Sequence, residues 1–549
     1  MSRLRPHARR KTGRALTGLA VVGLVVSFLV PATARPARAD VSIDAAGSTW
    51  VQIALDQWAA DVARQGLSIN YQGVGSTSGR VFYYQDQVDF AASEIPFTAA
   101  YKDSTGTVST NEIALAAHRP YAYMPDVAGG TSFMYHLDIA GNRVTNLQLS
   151  PTNLAKIFTG VITNWNDPAL AADNPQLHLP NLPVRPVVRS DGSGTTAQFT
   201  AFMASQTAAL WNAFCQRVGY NQNPCPSVSL WPDINATQQQ FSDGVADYVA
   251  APYNNGAITY VEYGYAKQRG FPVASILNHA GYYTQPTPNA VAIALQGATL
   301  NADLTQNLGG VYAHPDPRAY PVSSYSYMIV PTTTASPFTT DKGVTLSKFI
   351  LYVVCAGQQE AALLGYSPLP KNLVQDAFNV VTKIPGHVNP PPINQCDNPT
   401  ITGAFVTNNA PPPPANAKQG FTPPPGQNGN GSTSGSGSQS GGGLNASGGG
   451  AANGSRNRNG RAAAKGATGK TAAAATSDAS AGGQLSDATP DQGLVVASGP
   501  ISVPPPRDPL PLLLYAVAAV VALLAVFGPP ALFLQLRRRR SPGPPAPTE

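Results

Sequence analysis

Three short loops of this chain share one composition. Gly47–Trp50, Gly75–Gly79 and Gly192–Thr195 each set glycine beside serine or threonine, and each opens a stretch with helical periodicity. After the first loop, Val51, Ala54, Leu55, Trp58 and Val62 fall on one helical face, with Ser48 or Thr49 as the expected N-cap. The second loop follows Ser68–Val74, which reads as a short strand, and leads to a helix through Val81–Gln85. The third follows Val184–Arg189 and leads to the helical run Thr196–Ser205. Val88–Ala92, Ala257–Val261 and Tyr327–Pro331 read as further buried strands. Strand, Gly/Ser loop and helix in repeated order predict an α/β fold.

The loops also carry a chemistry. Glycine lets a ligand come close to the backbone, hydroxyls donate, and the free N–H groups of a helix's first turn present partial positive charge. Such loops are cradles for anions. Arg189, just before the third loop, adds a guanidinium fork suited to phosphate or carboxylate. Together they point to a tetrahedral oxyanion.

The loops occupy only the middle of the chain. Of 549 residues, 51 are Gly and 51 Pro, and these crowd the region between Asn408 and about Pro500, so the chain divides into one large folded unit with tails. Residues 1–39 carry basic residues from Arg3 to Arg14, the apolar run Ala15–Val30 and the A-x-A site Ala37-Arg38-Ala39, which reads as a secretory signal peptide. Residues 407–508, rich in Pro, Gly, Ser and Ala, read as a disordered linker with a reach on the order of 50 Å. Residues 509–536 hold the uncharged run Leu510–Leu536, long enough for a transmembrane helix through the lipid bilayer. Arg537–Arg540 open a basic tail, 537–549, that the positive-inside rule places in the cytoplasm. The expected protein is exported and single-pass, with its N-terminal domain outside the cytoplasm.

The formal charge of +6 belongs to the tails. Residues 40–405 hold 16 basic and 24 acidic residues, a net −8, with no basic stripe among aromatics, so no nucleic-acid partner is expected. Four cysteines in an exported chain predict disulfides. They allow three connectivities; we expect Cys215–Cys225, close in sequence, and Cys355–Cys396, which flank the last folded stretch. No CxxC or His-rich spacing calls for a metal, and no cofactor is expected.

From about Ala45 to about Gly386 the chain resembles the periplasmic phosphate-binding proteins of phosphate ABC transporters. The resemblance rests on Gly47-Ser48-Thr49-Trp50 for the family's G-A-T-F and on Tyr71-Gln72-Gly73-Val74-Gly75-Ser76 for its Y-Q-G-I-G-S. Val88-Asp89-Phe90-Ala91-Ala92-Ser93 stands for V-D-F-G-A-S, and Arg189-Ser190-Asp191-Gly192-Ser193-Gly194-Thr195 for R-x-D-G-S-G-T. Ile258-Thr259-Tyr260-Val261-Glu262-Tyr263 follows in the expected place. The resemblance implies a binding domain over 40–406 with two lobes, about 42–127 with 318–400 and about 128–317, closing at a hinge over a ligand in the interlobe cleft. It implies Thr49, the Trp50 backbone, Ser76, Arg189, Ser193, Gly194 and Thr195 as phosphate ligands, with Asp191 holding the arginine in place.

One departure from the pattern matters; Trp50 for Phe is milder, since the site uses the backbone N–H. Glu94 stands where the family has the Asp that accepts the proton of monohydrogen phosphate, one methylene longer. The function this implies is non-enzymatic capture of inorganic phosphate for the membrane permease of an ABC importer. A phosphatase or serine hydrolase is disfavoured: the folded region has no G-x-S-x-G, and His118, His136, His178, His279, His314 and His387 form no ligand spacing. A surface-tethered sensing or adhesion module that kept the fold but changed its ligand is the alternative, to which the long tether and Glu94 give some weight.

Overall fold

The first and third loops follow strands whose apolar side chains are mostly buried, and the second follows a half-buried strand. In the computed structural model these strands lie in one mixed sheet of eight, and the described residues are 40–99, 109–220, 222–233, 236–407 and 410–421. The expected signal peptide, transmembrane helix and cytoplasmic tail, and the linker beyond Phe421, lie outside the described residues. Among the described residues no helix is long and apolar enough to cross a membrane.

The elements that frame the cleft are β1 (Ile43–Gly47), α1 (Gln52–Ala63), β2 (Ile69–Gly73), α2 (Ser76–Tyr84), β3 (Phe90–Ser93) and β4 (Tyr121–Tyr135). They continue with β5 (Arg185–Arg189), α3 (Gly194–Gln206), β6 (Thr237–Gln239), α4 (Phe241–Ala250), β7 (Ala257–Glu262), β8 (Ser323–Pro331) and α5 (Thr340–Val354). The sheet order is β2-β1-β3-β8-β4-β7-β5-β6. β1 pairs in parallel with β2 and β3, and β5 pairs in parallel with β7 and β6. The result is an α/β fold of two lobes on one curled sheet.

β4 belongs to both lobes. From Tyr121 to Gly130 it runs antiparallel to β8, and from Thr131 to Tyr135 antiparallel to β7. The expected change of lobe at 127–128 falls inside β4, close to this exchange of partners. The first lobe packs Trp58 and Leu55 of α1 and Phe349 and Ile350 of α5 against its strands. In the second lobe, Phe158, Phe199, Trp231 and Tyr260 form a ring cluster, with Phe158 and Phe199 centroids 5.0 Å apart. Val245, Val249 and Val261 fill the opposite face of that half-sheet. Such stacks of buried apolar area stabilise by roughly 25 cal/mol per Å² and hold the loops at the strand ends in place.

Both expected disulfides, Cys215–Cys225 and Cys355–Cys396, are formed. Three local expectations differ. The first helix begins at Gln52 without a side-chain cap, because the Ser48 hydroxyl takes the Trp50 N–H instead. The second begins at Ser76 rather than near Val81, directly out of Gly75. The chain from Ala410 to Phe421, proline-rich and assigned by composition to the linker, still lies on the body. Arg318 donates to the Ala410 carbonyl, Gln148 to that of Asn416, and the Gln419 N–H to that of Gly281.

Candidate functional site

The three loops meet across the cleft between the lobes. On the first lobe they bring Ser48, Thr49 and Trp50 after β1, Ser76 and Thr77 at the start of α2, and Glu94 just after β3. The second lobe brings Arg189 at the end of β5, then Asp191 and Ser193 before α3. Hydrogen bonds tie the two sides together. The Gly194 N–H donates to Ser76 Oγ at 3.0 Å, and the Thr77 N–H to the Gly192 carbonyl at 3.1 Å. Thr49 Oγ1 and Ser242 Oγ lie 2.8 Å apart.

Two glycines are needed for this approach. Gly75 has φ +86°, and a Cβ there would lie 2.5 Å from Asp191 Oδ2 across the cleft. A Cβ on Gly194 would stand 1.9 Å from Glu94 Oε2 and 2.7 Å from Ser76 Oγ. No side chain fits there, so the Glu94 carboxylate lies directly under the N-terminus of α3, where the helix dipole favours negative charge.

Glu94 is 1% exposed. Its Oε2 accepts from Ser76 Oγ at 2.8 Å and its Oε1 from Ser326 Oγ at 3.1 Å. Burial pushes its pKa above the ordinary carboxylate value, against the hydroxyls of Ser48, Ser76 and Ser326, which hold it down. Arg189, equally buried, gives Nε and Nη2 to the two oxygens of Asp191 at 2.7 and 2.5 Å, and Nη1 to Ser242 Oγ at 3.2 Å. Burial opposes its charge, but Asp191 outweighs burial and raises the pKa, so the guanidinium stays charged. One edge of the fork is thus committed to Asp191. One proton on Nη1 and the second on Nη2 carry no such bond.

Of the other expected residues, Ser193 Oγ caps α3 by accepting the Thr196 N–H at 3.2 Å, and its own proton remains available as a donor. The Trp50 N–H is given to Ser48 Oγ at 2.9 Å. Thr195 Oγ1 is buried and has no hydrogen-bond partner. A buried hydroxyl left bare costs about 1–3 kcal/mol.

Sequence reasoning missed several groups. Ser242 opens α4, where Phe241 sits at φ +63° with its N–H on Asp191 Oδ1 at 2.9 Å. A bulky residue in that left-handed region costs about 1–2 kcal/mol and is stored strain beside the cleft. No glycine signals the turn, so composition could not find it. Tyr265 Oη donates to the Thr49 carbonyl, and Tyr71 Oη to that of Ser48 at 2.7 Å. Ser326 was hidden as well; its only signal is a run of serines and tyrosines within a strand buried along its whole length. Outside the cradle, a recess of about 360 Å³ opens between Gln52, Asp56 and Gln57 of α1 and Asp243, Tyr265 and Gln268 of the second lobe.

Neutral hydroxyls, one charged arginine and one carboxyl acceptor therefore converge, a set that fits an oxyanion carrying a proton. A family model described as the PBP superfamily domain matches residues 32–356. The phosphate-binding protein PstS of Xylella fastidiosa, strain Temecula1, is 32% identical over 336 residues, which cover 61% of this chain and 83% of that protein. The protein of the same name from Haemophilus influenzae is 29% identical over 340 residues, 61% of this chain and 90% of its own. A solved phosphate-binding protein from Stenotrophomonas maltophilia overlays 64% of this chain and 97% of its own, at 17% identity and a TM-score of 0.45. By the family model and by the Xylella relative, the chain belongs to the PBP superfamily and, within it, to the family of the phosphate-binding proteins.

Proposed function

We propose that this protein captures inorganic phosphate outside the cytoplasm and delivers it to the membrane permease of an ABC-type importer, held to the bilayer by Leu510–Leu536 through the linker. The observation that carries the reading is the Thr195 hydroxyl, buried with no partner at the start of α3, the helix whose first residue stands against Glu94 and Ser76. A closed cleft strips water from the anion, so fixed donors must meet its oxygens, and these groups supply them. Glu94 supplies the one acceptor. Monohydrogen phosphate can place its proton there, whereas sulfate brings only oxygens to a carboxylate.

Calorimetric titration of the full-length chain with phosphate, and again with sulfate in competition, tests this. One phosphate should bind per chain, with sulfate weaker by roughly a hundredfold or more, since a buried unpaired acceptor costs a few kcal/mol. Absence of phosphate binding, or equal affinity for sulfate, would overturn the reading.

A further inference from the structure

Behind Glu94, where the strands pass from one lobe to the other, lies a second carboxyl group that the ligand reading does not use. Asp126 is in β4 and 0% exposed. The pairing of β4 with β8 shifts there: Ser326 faces Val127 while Tyr327 faces Pro125, which leaves Asp126 as the extra residue of a β-bulge. Its Oδ1 accepts the Val127 N–H at 2.6 Å, and its Oδ2 has no hydrogen-bond partner. Across the bulge, the Ser326 hydroxyl donates to Glu94 Oε1 at 3.1 Å, and it also stands close enough to Asp126 to pull that group's pKa down.

Among the described residues no lysine or arginine bonds to either carboxyl group. Arg189 is taken by Asp191, and Arg80, whose Nη1 reaches Ser93 Oγ, is paired with Glu112. The phenols that face the two groups are Tyr71, Tyr327 and Tyr366, all kept neutral by burial.

We propose that Asp126 and Glu94 share one proton through Ser326, so that phosphate capture draws a proton from solution onto Asp126 and leaves Glu94 as the ionised acceptor. The inference rests on the phosphate reading of the site. Two carboxylates so buried and so near cannot both carry charge without a large cost, and they titrate as a pair. Both are pushed above the ordinary value, Glu94 by burial and Asp126 by burial and then by the charge of Glu94. Hydrogen bonds decide where the proton rests. Glu94 receives hydroxyl donors from Ser76 and Ser326, which favour its ionised form. Asp126 has a bare oxygen that can carry an O–H and donate to Ser326 Oγ, whose own proton goes to Glu94. The chain Asp126, Ser326, Glu94 then has one donor per link, and the phosphate proton completes it.

The balance is simple. At a pH where part of the ligand-free pair is doubly ionised, the incoming phosphate dianion makes that state costlier. One proton leaves the buffer, an O–H bond forms on Asp126 Oδ2, and the phosphate keeps its own proton for Glu94. Asp126 is thus a positioning residue that sets the charge of the acceptor.

The test is titration of the full-length chain with inorganic phosphate in buffers of differing ionisation enthalpy, above the second ionisation of phosphate, where the ligand itself neither gains nor loses a proton. Wild type should take up a fraction of a proton, at most one, per phosphate bound. Asp126→Asn keeps the acceptor for Val127 and puts an amide where the O–H would be; it should bind phosphate with no uptake, and its affinity should no longer fall as pH rises. Binding by wild type without uptake, or equal uptake in Asp126→Asn, overturns this inference alone. Failure of wild type to bind phosphate sinks the site reading and this inference with it. Should the variant not fold, infrared spectra of phosphate-bound wild type at neutral pH decide: the carbonyl band of a protonated, buried carboxyl is expected, and its absence refutes the shared proton.

Discussion

Replacing Arg189 by Ala should have two separable consequences. The guanidinium is 2% exposed and holds Asp191 through both carboxylate oxygens. Without it Asp191 keeps the Phe241 N–H at 2.9 Å but loses its counter-charge, and stranding one member of a buried pair costs about 3–5 kcal/mol of stability. Arg189→Ala with Asp191→Ala removes both charges, and the loss should be much smaller, since buried pairs taken out whole cost little. Binding should not recover in the double variant. The fork edge that Asp191 leaves open can give the ligand two charge-assisted bonds of about 1.5–3 kcal/mol each, so both variants should bind phosphate roughly a hundredfold to ten-thousandfold more weakly. Thermal unfolding of the ligand-free proteins measures the first effect and calorimetry with phosphate the second. If the double variant binds within about threefold of wild type, Arg189 serves only Asp191. If the single variant is no less stable than the double, the stranded-charge argument is wrong.

Gly194→Ala should weaken phosphate binding by about tenfold to a hundredfold. A Cβ 1.9 Å from Glu94 Oε2 forces the carboxylate off its Ser76 bond, a charged hydrogen bond of about 1.5–3 kcal/mol, although alanine improves helix propensity by up to about 1 kcal/mol; unchanged affinity by calorimetry would refute the packing argument. The stability of the ligand-free chain should fall as pH rises from the ordinary carboxylate range through neutrality. Glu94, Asp126 and Glu262 all have raised pKa values, so the folded state holds more protons than the unfolded one across that window, at about 1.4 kcal/mol per pH unit for each proton. A melting temperature that is flat or rises over the same window would contradict this.

What the sequence made legible were the features whose cause is local. The first residue of α3 comes so close to the Glu94 carboxylate that only glycine fits, and Gly194 stands in the motif for that reason. The pairing of Arg189 with Asp191 is what the family resemblance implies, and the two form an ion pair two residues apart at the end of β5. The buried strands were legible from apolar runs, since both faces of the sheet are covered. Capping was less so. Ser48 is a good capping residue, but the loop after β1 turns first, and its hydroxyl is used on Trp50 before the helix begins. The proline run near residue 411 misled for a similar reason: composition reports that a segment cannot build a core of its own, and says nothing of whether it can lie on someone else's.

The groups that complete the cleft were illegible because their partners are far away in the chain. Ser242 reaches Thr49 across 193 residues, and Ser326 reaches Glu94 across 232. Nothing within a few residues of either announces a role. In a strand buried on both faces, however, polarity is itself a signal, because each polar group must find a partner or a function. β8 places Ser323, Ser324 and Ser326 where packing alone would favour valine or isoleucine, and β4 places Asp126 where it would favour anything uncharged. β4 also runs through both lobes. Asp126 lies on β4 and Glu94 just after β3, bonded to Ser326 of β8, and opening of the cleft to water would relieve the cost of a second charge on this pair. Closure and protonation are therefore expected to favour one another, and a site that discriminates by a proton on its ligand gains from being shut only when its own proton count is right.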